Sequence, residues 1–209
     1  MSELTDKLDS IAEEIRLSLS AKDAAREQAL PLCREVIRYS SQAIRAVHRQ
    51  EFDRTRDLLK SARDLLSQAE QALTGAPEIS NTGFLRDAQK EFAEGSLILS
   101  LVTGSPLPDP ASLGVDPAAY LNGLGEAAGE MRRYLLDSIR QGDLSRGEEL
   151  LAAMDDIYNV LVTMDFPDAI TGGLRRTTDM VRGVLERTRS DLTLVIRQKE
   201  LENLLGKFE

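Results

Sequence analysis

Four glutamates in two apolar stretches could together hold a divalent cation: Glu91 and Glu94 in QKEFAEGSLILSLV, and Glu126 and Glu130 in YLNGLGEAAGEMRRYL. Spacing at i,i+3 or i,i+4 puts both carboxylates of a pair on one helix face. The line through Glu91 and Glu94 runs on into Gly95, Ile98 and Val102 and back to Ala88, an apolar stripe rather than a solvated one. Glu126 and Glu130 stand beside Gly123, Ala127 and Tyr134, with no cation one turn N-terminal of either. Like charges at this spacing repel, and more so when partly buried. Something positive is therefore expected between the two helices, and a divalent cation with oxygen ligands is the simplest candidate. Gly123, Gly125 and Gly129 each cost a helix interior about 1 kcal/mol relative to alanine, which points to close helix approach or to room for a ligand. The competing reading is a solvated face, because a chain with 35 acidic residues produces such spacings by chance.

Four carboxylates without histidine suit hard ions, Mg²⁺ or Mn²⁺, and the natural chemistry of such a site is phosphoryl-ester hydrolysis. Other chemistries lack their residues. The single histidine, His48, sits in an arginine-rich stretch expected at the surface, and no Glu-x-x-His occurs, against the usual di-iron bundle. There is no P-loop, no glycine-rich dinucleotide turn and no Cys/His zinc cluster. Cys33 is alone, so it forms no intrachain disulfide; it reads as a small buried apolar residue and fits a reducing cytoplasm.

A polyanionic partner needs positive charge, and the chain as a whole carries −9. The balance is uneven: from Arg26 to Arg63 there are nine Lys/Arg against five Asp/Glu, a local +4. Within that stretch Arg34, Arg38, Arg45 and Arg49 fall on one helical line, a candidate phosphate-binding ridge. The alternative is a solvated face paired with Glu35 and other acids.

The elements that must position these residues are all helical. Leu4, Leu8, Ile11, Ile15 and Leu19 predict an amphipathic helix over 3–20, and a second follows from about Ala24 to Arg49, with Pro31 a kink or a break. A third runs from a cap near Asp53 to about Leu73, before TGAPEISNTG interrupts the pattern. The helix from Gly83 to about Val102 carries the first acidic pair. A proline-rich stretch, TGSPLPDPASLGVD, then reads as a functional loop or a crossover around a neighbouring element. Asp116 and Pro117 are a cap and a first-turn proline for the helix that carries the second pair to about Gln141. Asp143 or Ser145 caps the next, Asp165–Gly173 is a turn, and a last helix runs from about Leu174 to Leu205. No segment alternates like a strand. The expected fold is all-α: six or seven amphipathic helices in an antiparallel bundle. No run approaches a membrane span and no signal peptide is evident, so a cytoplasmic protein without a membrane partner is expected.

The motifs resemble those of the translin family, and in particular its Trax (translin-associated factor X) branch with its prokaryotic relatives. QKEFAEG is similar to the family's Q-E-F-x-E-A stretch; YLNGLGEAAGEMRR and DSIRQGD resemble its Y-L-x-G segment, acidic pair and N-S-V-x-x-G-D turn; GLRRTTDMVRGVLERTRSDL resembles its final helix. The resemblance spans almost the whole chain, and implies one translin/Trax-like domain over residues 1–209. It further implies a Mg²⁺- or Mn²⁺-dependent endoribonuclease with Glu91, Glu94, Glu126 and Glu130 as catalytic and metal-holding residues. Glu126 stands where the family commonly has Asp, one methylene longer than the pattern, and Asp137 where it commonly has Asn. Hollow closed oligomers of the family bind RNA inside, which implies a homo-oligomer acting on single-stranded or short RNA, with single-stranded DNA a further candidate. Arg34, Arg38, Arg45 and Arg49 would line its inner surface, by position and charge. The runner-up readings are a non-catalytic RNA- or DNA-binding scaffold and, behind it, an all-α nucleoside triphosphate pyrophosphatase. A purely structural bundle is the plainest alternative.

Overall fold

The computed structural model describes residues 7–80 and 83–206; Leu4 of the first expected helix, and Asn81 and Thr82 of the expected interruption, lie outside them. Among the described residues there are nine helices and no strand. Six are long: α1 (Leu8–His48), α2 (Phe52–Ala72), α4 (Gly83–Thr103), α6 (Pro117–Arg140), α7 (Gly147–Val162) and α9 (Leu174–Leu205). Three are single turns: α3 (Pro77–Ser80), α5 (Pro110–Leu113) and α8 (Asp168–Thr171).

The two helices expected before residue 49 are one. α1 runs unbroken for 41 residues, through Pro31. Proline there removes one intrahelical bond, but Pro31 lies on the exposed side, where water can take the freed carbonyl. Burial begins two residues before it, at Ala29. C-terminal to it, Cys33, Val36, Ala43, Ile44 and Val47 enter the core, while the expected inward stripe Leu8, Ile11, Ile15 and Leu19 is exposed. A three-residue turn returns the chain antiparallel in α2, which starts at Phe52 behind Glu51, so Asp53 is a first-turn residue rather than the cap.

Antiparallel pairing continues between α6 and α7 and between α7 and α9, where Gly147 meets Leu192 and Asp155 pairs with Arg189. α4 and α6 run parallel instead. The proline-rich segment 104–116 is the crossover: it travels back along α4, held by Arg63 to the Ser112 carbonyl and by Tyr120 to the Pro108 carbonyl at 2.9 Å each. α6 then starts as its sequence requires, with the Asp116 carboxylate accepting from the Ala118 N–H at 2.9 Å and Pro117 in the first turn. Gln89 ties α4 to the end of α2 and to the start of α6, donating to Glu70 at 2.8 Å and accepting from the Asp116 N–H at 3.5 Å. At the far end the Arg146 guanidinium donates to the Val102 and Leu101 carbonyls, placing a cation at the C-terminal carbonyls of α4. Arg146 rather than Asp143 or Ser145 caps α7; Asp143 instead accepts from the Ser145 N–H in the turn before it.

The spacing between α4 and α6 is set by Gly123. A Cβ there would lie 2.7 Å from the Lys90 carbonyl oxygen and 3.0 Å from the Glu94 nitrogen, inside the reach of any side chain. Backbone therefore meets backbone at the level of the acidic pairs. One residue earlier, Asn122 donates to the Thr171 carbonyl at 2.8 Å and accepts from the Thr177 hydroxyl at 2.7 Å, locking α6 to α8 and α9.

Candidate metal centre

The parallel contact of α4 and α6 brings three of the four glutamates together. Carboxylate oxygens of Glu91, Glu94 and Glu126 lie within 4.8 Å of one another. Their stripes are apolar as the sequence indicates: Ala88, Gly95, Ile98, Val102, Gly123 and Ala127 are all buried. Glu94 is the innermost acid, 7% exposed, and among the described residues no hydrogen bond or ion pair ends on its carboxyl group. Burial, and then the charges of Glu126, Glu91 and Glu130, push its pKa up to about 8 against the pull of Lys90. Burial raises Glu91 as well, again opposed by Lys90.

Lys90, one residue before Glu91, supplies the positive charge expected between the helices. Its Nζ lies 2.7 Å from Glu126 Oε1 and 3.7 Å from Glu91 Oε1. Burial works against the ammonium, but the Glu126, Glu91 and Glu94 carboxylates outweigh it and raise its pKa. Lys90 also stands one turn before Glu94, an i,i+4 pair visible in the sequence.

Glu130, one turn beyond Glu126, has a different partner. His48 Nε2 meets Glu130 Oε2 at 2.5 Å, across 82 residues of chain. This hydrogen bond, with the His48 and Arg133 charges, holds the Glu130 carboxyl below the usual range despite burial. His48 is not the surface residue its neighbours suggest: its side chain is 5% exposed, and its Nδ1 is buried with no partner among the described residues. Only its being the sole histidine marks it in sequence. Asp137 lies outside this group and pairs with Arg140 at 3.5 Å.

Arg34, Arg38, Arg45 and Arg49 are all exposed, along α1 and at its C-terminal cap. Arg38 pairs with Glu35, as the solvated-face reading has it, and stacks on the Tyr39 ring at 4.8 Å. Arg45 donates to the Ser41 carbonyl, while Arg34 and Arg49 make no ion pair among the described residues.

No family model matches the chain. An uncharacterized protein of Methanocaldococcus jannaschii is 28% identical over 193 residues, 91% of this chain and 85% of that one. Among solved structures, AfC3PO of Archaeoglobus in complex with duplex RNA aligns with a TM-score of 0.80 and 33% identity, over 90% of this chain and 97% of that one. AfC3PO in a separate crystal structure gives 0.78 over the same shares. Apo-NeC3PO of Neurospora, at 18% identity and a TM-score of 0.76 over 91% of this chain and 97% of that one, shares the fold. With a third of its residues identical to AfC3PO across nine-tenths of its length, the chain belongs to the translin/Trax-type C3PO family.

Proposed function

We propose that the protein is a metal-dependent endoribonuclease of the translin/Trax type, cleaving single-stranded or short RNA within a closed homo-oligomer. The observation that carries this reading is the convergence of Glu91, Glu94 and Glu126 around a buried carboxyl group with no partner of its own. Three oxygen donors with no sulfur or nitrogen fit Mg²⁺ or Mn²⁺. A carboxyl group pushed toward its protonated form by burial, and then by its acidic neighbours, gains most from a divalent charge beside it. Support for the substrate comes from AfC3PO, which forms a complex with duplex RNA. The exposed apolar face of α1 supports association with further copies.

Glu91, Glu94 and Glu126 would hold the ion, with Glu130 the fourth carboxylate at its edge. A bound Mg²⁺ or Mn²⁺ supplies Lewis acidity to a phosphoryl oxygen and neutralises charge on the leaving oxygen. One of these carboxylates would also orient the attacking water and accept its proton, while His48 holds Glu130 in position through its Oε2. Arg34, Arg38, Arg45 and Arg49 hold the RNA backbone, so binding weakens steeply with salt.

The test is cleavage of a labelled single-stranded RNA and a short duplex with Mg²⁺ or Mn²⁺, wild type beside Glu126→Ala, with binding measured in EDTA. Metal-dependent cleavage that Glu126→Ala abolishes, with binding retained, is expected. Binding without cleavage at any metal would make the protein a scaffold and remove the enzymatic reading.

A further inference from the structure

The carboxylates already share a cation, and it is a side chain. The Lys90 ammonium bonds Glu126 on the facing helix and sits beside Glu91 on its own. It therefore bridges α4 and α6 at the same carboxylates that would take a divalent ion. Two positive centres within one group of three acids repel strongly in a half-buried setting. Loading the site with a divalent ion therefore requires the ammonium to leave.

Where it can go is limited. Glu94 and the backbone contact at Gly123 close the inner side of the site. Lys90, Glu91 and Glu126 are 24%, 25% and 31% exposed, so the open side is the solvent side, from which a phosphodiester must arrive. Lysine is a compact charge on a flexible stem and moves between such partners more readily than arginine. Displaced outward from Glu126, it meets the next strong acceptor to approach, a phosphate oxygen.

Building on the metal-dependent reading above, we infer that Lys90 is an exchanging catalytic residue: its ammonium holds Glu91 and Glu126 until a divalent cation displaces it, and then binds the substrate phosphate. Metal loading and substrate contact are thereby coupled through one side chain.

Mn²⁺ alone is titrated calorimetrically into full-length wild type, Lys90→Met, Lys90→Gln and Lys90→Arg; RNA cleavage is then measured at saturating Mn²⁺. Lys90→Gln keeps an N–H donor for Glu126 and guards against a misfolded Lys90→Met. Removing the competing charge should tighten Mn²⁺ binding about tenfold or more in both neutral variants, with Lys90→Arg near wild type. Cleavage at saturation should nonetheless fall about tenfold or more in the neutral variants, through the lost phosphate contact. An ion pair that only braces the helices would leave Mn²⁺ affinity unchanged or weaker when broken, and that result overturns the proposal. So does undiminished cleavage at saturating Mn²⁺. A wild type that binds Mn²⁺ and cleaves RNA, with Lys90 variants binding no tighter, defeats the Lys90 role alone; no Mn²⁺ binding in any of the proteins defeats the metal reading as well.

Discussion

Glu94 shows how one side chain couples burial to chemistry. Its carboxyl group titrates at about 4.5 when free and at about 8 in the fold. A raised acid favours the folded state while both states are protonated. That contribution is full below about pH 4.5 and is lost as the pH rises toward 8, because the unfolded chain ionises first. The melting temperature of metal-free protein should therefore carry a downward component between those values. Glu94→Gln should flatten this component, and Mn²⁺ should reverse it by stabilising the ionised form. A thermal-denaturation series in EDTA and in Mn²⁺ measures both, and identical pH profiles for wild type and Glu94→Gln would show that burial does not hold the proton.

At the scale of elements, the site depends on how closely α4 and α6 approach. Gly123→Ala places a methyl against the Lys90 carbonyl oxygen and the Glu94 nitrogen, backbone atoms that cannot swing aside. The helices must separate, at a cost of about 1–3 kcal/mol, and Mn²⁺ affinity should fall with stability as the carboxylates spread. Gly129 on the same helix has open space around its missing Cβ, so Gly129→Ala should be neutral or stabilise by up to about 1 kcal/mol. Denaturant melts of the two variants make the comparison. Equal effects at both positions would mean that glycine's helix propensity, not contact, explains the pair. The sequence shows the three glycines and two alternative reasons for them; only the facing helix tells Gly123 from Gly129.

Over the whole molecule, the first turns of α1, residues 8–20, stand clear of the core with Leu8, Ile11, Ile15 and Leu19 exposed, each close to half or more. A second copy of the chain is the occupant expected for this stripe under the oligomeric reading. Replacing Leu8, Ile11 and Ile15 together with glutamate removes no core contact, so each subunit should keep its helical circular dichroism. The solution mass by light scattering should drop to a smaller species. An unchanged mass would place the subunit contacts elsewhere.

The helices themselves, and the acidic faces on them, were legible in the sequence because their causes are local. Apolar period, the Asp116 cap with Pro117 in the first turn, and the spacing of Glu91 with Glu94 and of Glu126 with Glu130 all act within one or two helical turns. The continuity of α1 through Pro31 was not legible, since it depends on which side of the helix faces water. Nor were the partners. That Lys90 bonds Glu126, and that His48 anchors Glu130, follows from the parallel crossover between α4 and α6 and from where α1 ends against α6. The sequence determined which residues share a face and the sign of the charge they require. The tertiary structure decided which faces meet, because contacts between residues tens of positions apart are set by packing that no local pattern encodes.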